Sequence, residues 1–119
     1  MKSICERLAH ASQVAFREVS FADGSLPVES ACHQNADKWV KENPGTVVVR
    51  GWVTYADFGA SIGLTAHSVI RDRDGELADI TPLENKRDRA GMRFLSHVGT
   101  EQEFAKIKES GIFIECPKE

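Results

Sequence analysis

The chain has 119 residues, 41% of them hydrophobic, and a formal net charge of −3. That is the length of one domain, spanning residues 1–119, with enough apolar side chain for a core, so a disordered chain is excluded. No basic patch argues for a nucleic-acid partner, and the apolar runs at 46–49 and 111–114 are too short to span a membrane.

Residues 3–18 carry Ile4, Leu8, Ala11, Val14 and Ala15 close to helical spacing, which predicts a first helix. Glu6 and Arg7 interrupt any signal-peptide core there, so secretion is not expected. Asp23-Gly24-Ser25-Leu26-Pro27 reads as a loop. A second helix is predicted over 31–42, capped by the Ser30 hydroxyl and stopped by Asn43-Pro44-Gly45. Cys32, Ala36, Trp39 and Val40 fall on one face of it, the expected buried face. Strands are predicted over 46–55, 64–71 and 76–81, rich in strand-favouring side chains. Asp72-Arg73-Asp74-Gly75 makes the last two a hairpin. Residues 84–91 read as an exposed charged loop, able to overhang a site as a lid, and 92–98 as a fourth strand. Thr100 with Glu103 forms a capping box for a helix ending at 109, and 112–116 closes the chain as a short strand. Two helices followed by neighbouring strands predict an α+β fold with an antiparallel sheet and an N-terminal helix pair.

Three cysteines, an odd number at wide spacing, argue against a disulfide framework and fit a reducing cytoplasm. At least one thiol should stay outside any disulfide. Cys32 stands in the first turn of a predicted helix, where unpaired amides favour a thiolate. His67 in the second strand offers a base, and Asp79 in the third offers a carboxylate to orient it; this is the set that thiol acyl chemistry needs. The pairing of His67 with Asp79 depends on the turn. A two-residue turn at Asp74-Gly75 would oppose Ile70 to Asp79 and put His67 and Asp79 on opposite faces. A three-residue loop, with Gly75 in the left-handed bulge position, would put them on one face; it suits the residues better, and the first form stays open.

The order of Ala31-Cys32-His33-Gln34-Asn35-Ala36, then Val47-Val48-Val49-Arg50-Gly51-Trp52, then Ala66-His67-Ser68-Val69, then Leu77-Ala78-Asp79-Ile80-Thr81-Pro82 resembles the core of the transglutaminase-like group of papain-fold cysteine enzymes. The resemblance covers a little under half of the chain. It implies a papain-like core in which Cys32 is the nucleophile, His67 the general base and Asp79 the orienting acid. The implied activity is hydrolysis or acyl transfer on a peptide or small amide or ester substrate, through a thioester and without an organic cofactor. His33 directly after the nucleophile and the lack of an aromatic beside it depart from the family's usual pattern. Gln34, Trp52 and His97 are candidates for oxyanion or substrate contacts.

Two rivals stand beside this reading. Cys32, His33, His67 and His97 are ligand types for zinc, but no tight ligand pair is present and no metal is expected. A catalytically silent domain presenting Trp52, Tyr55 and Phe58 to a peptide or protein is the second, with core packing the plainer role for these aromatics.

Overall fold

The computed structural model describes residues 2–82, 92–111 and 113–118. Its elements are α1 (Lys2–Glu6), a 3-10 turn (Leu8–His10), α2 (Cys32–Glu42), β1 (Val47–Asp57), β2 (Ser61–Arg71), β3 (Leu77–Ala78), β4 (Phe94–Ser96), α3 (Glu101–Glu109) and β5 (Ile114–Pro117). The fold is α+β. The five strands form one sheet in the order β3-β2-β1-β4, with β5 added to β2. Trp52 pairs with Leu95, Ile70 with Ala78 and Ile62 with Cys116, each in antiparallel register.

The chain divides into two compact units, neither continuous in sequence. The first holds residues 1–13, 50–67 and 90–119. Its core is Ile4, Trp52, Leu64, Leu95, Phe104 and Cys116. Trp52 packs on Phe104 at 4.8 Å between ring centroids. At Gly51 a Cβ would run into the Leu95 carbonyl and the Phe94 ring, so only glycine lets β1 and β4 come this close. Thr100 opens α3 with the expected capping box: its hydroxyl accepts from the Glu103 N–H at 3.1 Å, and its own N–H donates to the Glu103 carboxylate at 2.8 Å.

A disulfide joins Cys5 of α1 to Cys116 of β5, 111 residues apart. This corrects the reading of the cysteine spacing as arguing against a disulfide, while Cys32 stays outside it as expected. Spacing along the chain could not show that α1 lies against β5, where the two sulfurs meet. With this bond present, the cysteines no longer favour a reducing cytoplasm, since disulfides persist in oxidising compartments. No helix among the described residues is long and apolar enough to cross a membrane.

The second unit holds residues 14–49 and 68–89. Ala36 of α2 packs with Ile70, Ala78 and Ile80, and Trp39 and Val40 flank them. The β2–β3 hairpin takes the three-residue loop. Asp72 and Glu76 close it, Gly75 donates to the Asp72 carbonyl at 3.0 Å, and Gly75 has φ of 90°. That register pairs Ile70 with Ala78, so the two-residue alternative is excluded.

Three expectations need correcting. The helix over 3–18 stops at Glu6, and extended chain follows the 3-10 turn. Ser12 exchanges two backbone hydrogen bonds with Phe94 in the first unit, while Ala15 and Arg17 bond the backbone of Asp79 in the second. Satisfying those strand groups outweighs the modest helix preference of this stretch. Ser30 is not the cap of α2: Ala31 precedes the first helical residue, Cys32, with no side-chain cap. Ser30 instead sits third in a turn closed by the Ala31 N–H on Val28 O, with φ of 63°. The third strand is only two residues long, because Asp79 leaves β2 to bridge Phe16. The charged run at 84–91 lies outside the described residues.

Candidate functional site

Cys32 is the first residue of α2, half-buried and outside the disulfide. Starting one residue later than expected, α2 still holds the thiol in its first turn, where backbone N–H groups face a developing anion. The Asn35 N–H donates to the Ala31 carbonyl at 2.8 Å, closing that turn.

Asp79 is 3% exposed. Its N–H donates to Ala15 O and its carbonyl accepts from the Arg17 N–H, both at 2.9 Å, so its backbone is clamped. Its carboxylate accepts from the Thr81 N–H at 3.1 Å. The turn carrying Asp79 is also tied to the helix carrying Cys32. Asn35, buried among α2's inward residues, donates from Nδ2 to the Thr81 hydroxyl at 2.8 Å and to Val28 O at 2.9 Å. Its Oδ1 accepts from the Val28 N–H at 3.1 Å. Beside Cys32, His33 places Nδ1 2.6 Å from the Ser68 hydroxyl, fastening α2 to β2. Thus the second unit brings the thiol's helix and the carboxylate's turn into one hydrogen-bonded frame.

His67 lies in the first unit, buried in β2, with its ring edge-on to Phe94 at 6.5 Å. The secondary candidates fall differently. Gln34 is exposed on α2. Trp52 is 1% exposed and belongs to the core, so it presents no surface to substrate; its length and flatness fill the space under α3. His97 packs edge-on to Trp52 and Phe104, with Nε2 3.1 Å from the Thr100 carbonyl, and so steadies the start of α3. Among the described residues no three His, Cys, Asp or Glu side chains gather to hold a metal ion.

Sequence reasoning passed over Asn35, Ser68 and Thr81. A signal for Asn35 was present: it follows Cys32 by three and precedes Trp39 by four, a polar amide in an otherwise apolar stripe. Beside this frame lies an open groove of about 530 Å³ lined by Phe16, Val19, Leu26, Pro27, Ile80 and Pro82, with Glu18 and Ser20. Away from this frame, hydrogen bonds from Ser25 and the Lys38 ammonium hold the exposed Asp23 carboxyl well below the usual carboxylate range. Compared with protein-family models, curated proteins and solved structures, the chain gives no match.

Proposed function

We propose that this protein is a small cysteine-dependent hydrolase or acyl transferase with a papain-like core, acting on an amide or ester of a peptide or small molecule. Cys32 is the nucleophile, His67 the general base and Asp79 the residue that orients the imidazole. The observation that carries this reading is the Cys32 thiol in the first turn of an eleven-residue helix, tied through Asn35 and Thr81 to the turn bearing Asp79.

In this scheme His67 takes the thiol proton, and the Cys32 sulfur attacks the carbonyl carbon. The backbone amide of Cys32 supplies one hydrogen bond to the oxyanion. The C–N or C–O bond then breaks, His67 gives its proton to the leaving group, and a thioester remains on Cys32. Water, or a second amine, loses a proton to His67 and attacks the thioester, which restores the thiol. A p-nitrophenyl acetate burst tests this. The expected result is one acetyl group on Cys32 followed by turnover, with no burst in Cys32→Ser and slow deacylation in His67→Ala. An acetylated Cys32 that deacylates equally slowly in the parent and in His67→Ala would refute it.

One observation favours a second reading, a silent domain that binds peptides. Tyr55, Phe58 and Phe113 are all more than a third exposed, and Phe113 lies 5.6 Å from Tyr55 and 5.7 Å from Phe58. Peptide binding that is lost in Phe58→Ser and intact in Cys32→Ser would favour it.

A further inference from the structure

The second unit contains a polar linkage whose members are not part of the thiol chemistry itself. Asn35 and Thr81 are each 4% exposed. A polar side chain buried this deeply costs free energy unless it is hydrogen-bonded, and the three bonds of the Asn35 amide commit both of its donors and its oxygen. Asn35 spends Oδ1 and one Nδ2 proton on Val28, as a backbone strand would, and the other Nδ2 proton on the Thr81 hydroxyl. Thr81 then donates its own N–H to the Asp79 carboxylate.

The path runs from the first turn of α2 through the Asn35 amide to the Thr81 hydroxyl, and from the Thr81 backbone N–H to the Asp79 carboxylate. Each link is 2.8–3.1 Å long. The alternative of apolar packing would hold the same elements together without fixing their register. Hydrogen bonds of defined direction restrict translation along α2, and burial keeps water from replacing them. Asp79 has its backbone clamped by Ala15 and Arg17, so what Thr81 sets is the direction of its carboxylate.

We infer that Asn35 and Thr81 are positioning residues: they hold the Asp79 carboxylate in a fixed relation to the helix turn that carries Cys32, and through it tune the reactivity of the thiol. The inference rests on the Cys32, His67 and Asp79 assignment proposed above. Neither residue touches substrate. The side-chain contribution of Thr81 is its hydroxyl, which accepts from Asn35 and so fixes the position of the N–H that meets Asp79; serine retains it, and valine, of nearly the same shape, lacks it.

The test is the rate of iodoacetamide alkylation of Cys32 between pH 5 and 10, read by intact mass, in the parent, Thr81→Val, Thr81→Ser and His67→Ala. Thr81→Val is expected to slow alkylation near neutral pH about tenfold, which corresponds to about 1.4 kcal/mol, and to leave the alkaline plateau unchanged. Thr81→Ser is expected to follow the parent. A purely structural role would lower the melting temperature without moving the pH profile. If His67→Ala alters the profile and Thr81→Val does not, the positioning role is overturned and the enzyme reading stands. If His67→Ala leaves the profile unchanged, the enzyme reading itself falls, and this inference with it. Should Thr81→Val fail to fold, Thr81→Ala removes the hydroxyl without adding apolar bulk, and the same two outcomes apply.

Discussion

Reducing the Cys5–Cys116 bond removes a constraint that spans almost the whole chain. The bridge closes a loop of 111 residues. Loop-closure entropy for that length gives about 4.8 kcal/mol of destabilisation of the unfolded chain at 25 °C, and native disulfides removed by reduction typically cost about 2–5 kcal/mol. For a chain of this size the unfolding entropy near the midpoint is about 250 cal/mol/K, so the melting temperature should fall by roughly 10–20 °C. Urea unfolding with and without a phosphine reductant measures this. The midpoint should drop on reduction, and the slope should rise because the uncrosslinked unfolded state exposes more surface. Cys116 is 1% exposed, so strong reductant or partial unfolding is needed to reach it. Thiol counting on the unreduced, denatured protein should find one reactive group, Cys32. Three reactive thiols, or an unchanged midpoint after reduction, would refute the argument.

Thr100→Ala should destabilise the protein by about 1 kcal/mol, since the cap of α3 loses the acceptor for the Glu103 N–H; chemical denaturation reads the loss. The same box should weaken in acid. The Thr100 N–H and hydroxyl hold the Glu103 pKa below its ordinary value of 4.5. A depressed folded pKa means that the contribution is fully present above 4.5 and is lost as pH falls through the folded value. Circular dichroism should therefore show helix signal lost below that range, and less change with pH in Glu103→Gln. Gly51→Ala should cost about 3 kcal/mol, because the new methyl group meets the Leu95 carbonyl and the Phe94 ring; a urea midpoint equal to the parent's would contradict this close approach.

The parts of the fold written in neighbouring residues were legible. Thr100 and Glu103 mark the start of α3, and Asp72-Arg73-Asp74-Gly75 selects the three-residue loop with Gly75 at positive φ. Parts decided by distant partners were not. Residues 11–17 have a helical pattern, but the backbones of Phe94 and Asp79 take them as extended chain. Ser30 looks like a cap and is used by the turn at 28–31, which delays α2 by one residue. Trp52 could have lined a binding face; its burial under α3 depends on Phe104, fifty-two positions further on. In the candidate site Cys32, His67 and Asp79 could be chosen by chemical type. Asn35 shows only as a polar amide in the apolar stripe of α2, and Thr81 not at all, because their pairing is a hydrogen bond across 46 residues.

The most direct measurement exploits the disulfide. With Cys5 and Cys116 joined, the thiolate absorbance near 240 nm reports Cys32 alone. A titration of the native protein should give a midpoint below the ordinary thiol value of ~8.5, and replacing His67 by alanine should move it upward. A midpoint at or above that value in both proteins would mean an inert sulfur, and cysteine catalysis would have to be abandoned.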